Sequence, residues 1–204
     1  VRIKICGMTR IEDVHAAAAW SVDAIGIVMV PQSRRAVSVA QARALCRATP
    51  PLVTRIGLFM DAPADVVRDT IDQVGFDMLQ FHGHETADYC ASFGRPWIKA
   101  IPIAGVEAVH LTQQLSEYAE ADALLLDGHA PGELGGSGTV IEVEALPSLP
   151  RPWLLAGGLN ASNVSELCQR WQPDAVDVSS GVEIAPGIKD HSQMKQFIDA
   201  VRRL

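Results

Sequence analysis

Two residues of the chain have types and placements suited to moving protons. Cys6 ends the short apolar run RIKIC and stands directly before a glycine, and Asp127 ends the run ADALLLD, again before glycine. A thiolate is a competent base and a carboxyl group a competent acid when a fold holds them around one substrate. Each residue also has an ordinary explanation. A lone cysteine is often inert packing in a core, and an aspartate before glycine often serves a turn. Position decides between the two, and position depends on the strands that carry them.

Alternation with period two places Arg2, Lys4 and Cys6 on one face of the first strand, with Ile3 and Ile5 on the other. The apolar face suits packing under helices, so the polar face is expected to look into an interior, with Lys4 one layer below Cys6. There the ammonium and the N-terminus of the following helix are expected to favour thiolate over thiol. The same alternation turns Ala123, Leu125 and Asp127 to one side.

These strands belong to a series. Apolar runs at 2–6, 23–30, 52–59, 76–81, 96–101, 122–127, 151–156 and 174–179 alternate with helical patterns. The helical patterns lie near 10–20, 38–48, 63–74, 84–93, 105–119, 141–147, 160–171 and 189–203, with N-cap signals at Thr9, Ser38 and Asn160. Eight βα units joined by short loops predict an α/β fold, a single-domain (β/α)8 TIM barrel over residues 1–204. An open doubly wound sheet would normally bring a glycine-rich fingerprint after the first strand, and CGMTR is not GxGxxG.

In a barrel, functional groups gather where strands end. Gly157 and Gly158 follow the seventh strand, and Ser179, Ser180 and Gly181 follow the eighth. Paired turns of this kind are expected to cradle a phosphate with backbone N–H groups. Arg34 and Arg35 follow the second strand, where a guanidinium fork over the mouth could grip a carboxylate. Gln80 and His82 share a face at the end of the fourth strand as pocket candidates, with a structural histidine and a substrate contact equally open for His82. The glycine-rich segment 128–140, with Gly135, Gly136, Ser137 and Gly138, is long for a βα loop. It is expected to be a lid over the substrate, the alternative being a plain surface loop.

Composition narrows the partners. A chain of 204 residues with 48% hydrophobic content can bury one good core, and a net charge of -7 argues against nucleic acid or an anionic membrane. Cys6, Cys46, Cys90 and Cys168 are widely spaced, which supports neither a disulfide framework nor a structural zinc site. No cluster of His and carboxylates has metal-ligand spacing, so no metal mechanism is expected. No signal-like segment precedes the first strand, and runs such as AIGIVMV are too short to cross a bilayer. A cytoplasmic protein is expected.

The stretches KICGMTR, SRRAVS, LQFHG, LLLDG, LGGSG, LAGGLN and DVSSGVEIAPGIKD occur in that order. With them the chain resembles the phosphoribosylanthranilate isomerase family over essentially its whole length. It departs in having TVIEVEAL after GGSG, where the family often has an aromatic and an aspartate, and Asp61 where asparagine is frequent. The resemblance implies a (β/α)8 barrel of tryptophan biosynthesis that carries out an Amadori rearrangement. N-(5-phosphoribosyl)anthranilate, a phosphorylated aminoaldose, would become 1-(2-carboxyphenylamino)-1-deoxyribulose 5-phosphate. Asp127 would protonate the ring oxygen, and Cys6, as thiolate, would take the proton from C2′. Arg35 would hold the anthranilate carboxylate, and Gly157, Gly158 and Ser179 to Gly181 the phosphate. No cofactor is implied, and the protein would be a monomer or homodimer.

Three rival readings remain distinguishable. The histidine-pathway aminoaldose isomerase resembles this chain in fold but has aspartate where Cys6 stands. Ribulose-phosphate epimerases have metal-binding His and Asp residues that this chain lacks. A non-catalytic phosphate-binding barrel would need no acid facing a base.

Overall fold

Strand β1 (Arg2–Ile5) pairs in parallel with β2 (Ala24–Val28) on one side and with β8 (Ala175–Val178) on the other. That double pairing closes a ring. Between them run β3 (Thr54–Phe59), β4 (Met78–Phe81), β5 (Trp97–Pro102), β6 (Ala123–Asp127) and β7 (Trp153–Ala156), in sequence order and all parallel. The structure is a computed structural model and describes residues 1–128, 149 and 151–204. The proposed lid at Gly135, Gly136, Ser137 and Gly138, and the helix expected at 141–147, lie outside the described residues.

Six described helices connect strands, α1 (Ile11–Ala19), α2 (Val39–Ala48), α3 (Ala64–Val74), α4 (Ala87–Ala91), α5 (Ala108–Glu117) and α6 (Val164–Trp171), and α7 (His191–Arg202) follows the last strand. Each βα unit expected within the described residues is present, with ends trimmed by a few residues. One feature was not expected. After β8 the chain makes a 3-10 turn (Ser180–Val182) and an antiparallel hairpin of β9 (Glu183–Ala185) and β10 (Ile188–Lys189) before α7 begins.

Successive residues of each strand face opposite layers, both largely apolar. Outward residues such as Ile3, Ile5, Ile25, Ile27, Leu79 and Val176 are buried against the helices. Inward residues Ala24, Ile56, Ile98, Ala100, Leu125, Leu154 and Ala156 fill the barrel. Above that plug, towards the strand ends, lie Cys6, Val28, Val30 and Leu58 with Met60. Burying each large aliphatic side chain contributes about 1.5–3 kcal/mol, so the barrel's lower half is the rigid base and its upper rim can carry polar groups.

The cap signals resolve differently. Ser38 forms a full capping box with Gln41, as its sequence position predicts. Thr9 does not cap α1, whose N-cap is Arg10; its hydroxyl donates instead to the Gly187 carbonyl and fastens the hairpin. Asn160 does not cap α6 either. It organises the preceding turn, accepting from Ser162 N at 2.9 Å, while Asn163 occupies the N-cap position. Asn163 accepts from Asn160 N at 2.8 Å and donates to the Gly158 carbonyl at 2.9 Å, which ties down the glycine turn after β7. No described helix is long and apolar enough to cross a membrane.

Candidate active site

Cys6 stands where β1 ends, its N–H donating to Val178 O at 2.8 Å, before the chain folds over β2 through Gly7 and Met8, which both donate to Gly26 O. Its side chain points inward and is buried, 6% exposed. A side chain at Gly26 would leave no room: a Cβ there would lie 2.6 Å from Cys6 Sγ and 3.2 Å from Lys4 Nζ. Thiol and ammonium thus share the space beside Gly26. Lys4 Nζ in turn donates to Asp177 Oδ2 at 2.8 Å, with both side chains buried.

The electrostatics correct one expectation. Burial, the largest influence, pushes the Cys6 thiol above its ordinary value. Lys4 and Lys189 pull it down and the Asp177 carboxylate pushes it up, and the balance is upward. Lys4 is placed where the sequence predicts, but its charge is already engaged by Asp177. The resting group is therefore a thiol.

Asp127 ends β6, three strands round the ring from β1, so acid and base face the mouth from different sides. Its side chain, 13% exposed, has His82 Nε2 at 3.7 Å. Gln80 Nε2 lies 3.0 Å from His82 Nδ1. With Nδ1 accepting from that amide, a neutral His82 carries its proton on Nε2, the nitrogen that faces Asp127. Gln80 itself is fully buried, so it orients His82 from below. On the other flank, a Cβ on Gly157 would come within 2.9 Å of Asp127 Oδ1 and 2.4 Å of Gly128 N.

The loop after β2 presents Arg35. Val37 N donates back to Val28 O and Arg35 N to Ser33 Oγ, so the loop curls against its own strand. Arg34 is exposed, while Arg35 turns inward across Gly7. Gly7 has φ +78°, and a Cβ there would lie 2.6 Å from Arg35 Cδ and 3.1 Å from Ser179 Oγ. The glycine of CGMTR thus lets Arg35 lie beside the end of β1. Arg35 does not project alone over the mouth, however. Its Nε and Nη2 donate to the Glu183 carboxylate at 2.8–3.2 Å.

The loops after β7 and β8 meet. A Cβ on Gly181 would lie 1.8 Å from the Leu159 carbonyl oxygen, a contact only glycine permits. Gly157 and Gly158 have φ of +91° and +62°, and Ser180 and Gly181 lie in the 3-10 turn. Ser179 Oγ, Asp177 Oδ1 and Gln80 Oε1 are buried with no hydrogen-bond partner among the described residues. Each such group costs about 1–3 kcal/mol. All three come from the inward faces of β4 and β8 and the residue that follows it, where a polar ligand would meet them.

Sequence reasoning missed a set of buried charges. Lys189 Nζ reaches Glu183 at 2.7 Å, Lys99 Nζ reaches Glu85 at 3.0 Å, and Asp177 partners Lys4. Glu85 also accepts from Asp61 N and Gly83 N, joining the loops after β3 and β4. Asp177 was findable, since alternation puts it on the face of Ser179. Glu183 and Lys189 sit on a hairpin with no periodicity to betray them. Among the described residues no three His, Cys, Asp or Glu side chains converge as metal ligands would.

A family model described as N-(5'phosphoribosyl)anthranilate (PRA) isomerase matches residues 3–200. N-(5'-phosphoribosyl)anthranilate isomerase of Acidithiobacillus ferrooxidans is 48% identical over 202 residues, covering 99% of this chain and 98% of that protein. The Pseudomonas fluorescens protein of the same name is 46% identical over 203 residues, covering 99% and 96%. Among solved structures, the Thermotoga maritima phosphoribosyl anthranilate isomerase superposes with a TM-score of 0.87 at 33% identity, covering 100% of both chains. A phosphoribosyl anthranilate isomerase in complex with reduced 1-(o-carboxyphenylamino)-1-deoxyribulose 5-phosphate gives 0.84 at 34% identity, again over 100% of both.

Proposed function

The chain belongs to the N-(5'-phosphoribosyl)anthranilate isomerase family, and we propose that Cys6 and Asp127 divide the base and acid work of its reaction. That reaction is an aldose–ketose isomerisation, the Amadori rearrangement of N-(5-phosphoribosyl)anthranilate to 1-(2-carboxyphenylamino)-1-deoxyribulose 5-phosphate. The observation that carries the assignment is the placing of one thiol and one carboxyl inside the same ring of strand ends, three strands apart.

Asp127 gives its proton to the furanose ring oxygen. The C1′–O bond breaks as the nitrogen lone pair forms C1′=N⁺, and the sugar opens to a Schiff base. Cys6, as thiolate, removes the proton from C2′. The C–H pair becomes C1′=C2′ and the iminium π pair returns to nitrogen, giving an enolamine. Loss of the enol proton and gain of one at C1′ complete the ketone. Oxidation at C2′ balances reduction at C1′, so the substrate needs no external electron carrier. A base with a raised pKa is scarce as thiolate but strong once formed, and the Lys4 ammonium lies where it would stabilise that anion.

Arg35 holds the anthranilate carboxylate, and the turns at Gly157, Gly158 and Ser179 to Gly181 hold the phosphate, with Ser179 Oγ a donor awaiting an acceptor. His82, oriented by Gln80, sits beside the acid and bounds the pocket there. The lid role of 135–138 belongs to the same proposal, as do action as one domain, as a monomer or homodimer, and a place in the cytoplasm. The dimeric Thermotoga maritima protein has also been solved as monomers, 32% identical to this chain with a TM-score of 0.83.

The test is an assay of purified protein with freshly generated phosphoribosylanthranilate, whose fluorescence decays on conversion. Decay no faster than in buffer, alongside a saturable binding isotherm, would instead favour a non-catalytic phosphate-binding barrel.

A further inference from the structure

Arg35 is seated by a second charged pair. Its guanidinium Nε and Nη2 meet the Glu183 carboxylate at 2.8–3.2 Å, and Glu183 Oε1 accepts from Lys189 Nζ at 2.7 Å. Exposure falls along this series, from 11% for the Arg35 side chain to 4% for Glu183 and 0% for Lys189. Lys189 Nζ also donates to the Cys6 carbonyl at 2.5 Å and the Ser179 carbonyl at 3.2 Å. The seat of Arg35 is therefore built onto the ends of β1 and β8, the elements that carry the base and the phosphate turn.

Two consequences follow from the chemistry. An arginine side chain has several rotatable bonds, and a carboxylate that takes both N–H groups on one edge fixes the plane and heading of the whole fork. Two cations also share one carboxylate here, so the cluster keeps one net positive charge in a chain of net charge -7. It is oriented, and it still attracts an anion.

We propose that Glu183, held by Lys189, is a positioning and specificity residue: by aiming Arg35 it makes the enzyme select an arylamine that bears an ortho carboxylate. This rests on the reading that Arg35 meets the substrate carboxylate. Burial pushes the Glu183 carboxyl up, but the hydrogen bonds and charges of Arg35 and Lys189 outweigh it and hold it below its ordinary value.

The experiment compares two substrates, phosphoribosylanthranilate and the analogous phosphoribosyl-aniline, which lacks only the carboxylate. Glu183→Gln is expected to raise KM for the first about 10-fold, the size of one weakened charged hydrogen bond, with kcat little changed. For the aniline analogue it should match wild type. Glu183→Asp keeps the charge opposite Lys189 and withdraws the carboxylate from Arg35 by one methylene. It should show the same substrate dependence more weakly, and it guards against loss of folding in the glutamine variant. Equal losses on both substrates, or wild-type KM in both Glu183 variants, would overturn the inference. Arg35→Ala separates the two levels. If it raises KM for phosphoribosylanthranilate while the Glu183 variants do not, only the positioning role fails. If it leaves that KM unchanged, the carboxylate reading of Arg35 fails and the inference falls with it.

Discussion

Lys4 and Asp177 form a buried ion pair, Nζ to Oδ2 at 2.8 Å, next to the thiol of Cys6. The pair acts on the thiol in opposite senses. Lys4 favours the thiolate, and Asp177 opposes it both directly and by engaging the ammonium. Lys189 and Arg35 add further positive charge near the sulfur. On the proposed mechanism the thiolate removes the C2′ proton, so kcat should rise with pH through the thiol ionisation of the complex. Lys4→Met removes a cation, raises the thiol pKa and should move that limb to higher pH by about 1 unit. Asp177→Asn removes an anion, leaves Lys4 to the thiolate and should move it to lower pH. Recording kcat against pH for both variants checks the signs. Shifts in the same direction would refute the arrangement.

For Cys6 itself the decisive variant is serine. The hydroxyl is nearly the size of the thiol but scarcely ionises at neutral pH. Cys6→Ser should therefore lose activity by a large factor while its melting temperature stays close to wild type. Alkylation should inactivate the native protein, and bound product analogue should slow it. Normal kcat in Cys6→Ser would return the residue to simple packing.

Asp127→Asn keeps the shape of the side chain and its place between His82 and Gly157 but cannot deliver a proton. Loss of a positioned general acid should lower kcat by about 10²–10⁴-fold, with substrate binding little altered. Single-turnover rates and an independent Kd separate the two. A variant with wild-type kcat would exclude Asp127 as the acid.

How much of this was written in the sequence depends on the kind of interaction. The barrel strands were legible as short apolar runs between helical patterns, because strands buried on both faces are apolar nearly throughout. Strand β1 shows its two faces plainly, Ile3 and Ile5 under the helices and Lys4 and Cys6 inside the ring. The facing of Asp127 followed from strand alternation, and the glycine turn at 157–158 from its place after the seventh apolar run. The state of Cys6 did not follow, because a pKa balances burial against several charges drawn from β1, β8 and β10. Position was readable while sign was not. Thr9 looks like a cap in sequence and is instead a strap to the hairpin, since its partner Gly187 lies 178 residues away. Glu183 and Lys189 belong to that hairpin, whose short strands carry no period. Their role emerges only when Arg35, from the other end of the chain, lies against them.

The phosphate turns yield the last prediction. Gly181 has no side chain because the Leu159 carbonyl oxygen occupies its place, 1.8 Å from where a Cβ would be. Gly181→Ala must push the loop after β8 away from the loop after β7, whose carbonyl is backbone and cannot rotate aside. The described bonds between the end of β1 and the loop after β8, from Lys189 to the Cys6 and Ser179 carbonyls and from Cys6 N to Val178 O, do not pass through Gly181, so the chemistry should suffer less than the binding. The variant is expected to raise KM for the phosphorylated substrate about 10-fold or more, in line with loss of a charge-assisted hydrogen bond. Inorganic phosphate, which should compete with substrate in the native enzyme, should inhibit the variant correspondingly more weakly. Measuring that inhibition constant isolates the phosphate subsite from the rest of the pocket. If phosphate inhibits native protein and Gly181→Ala equally, the two turns do not hold the phosphate and the anion must be sought elsewhere on the rim.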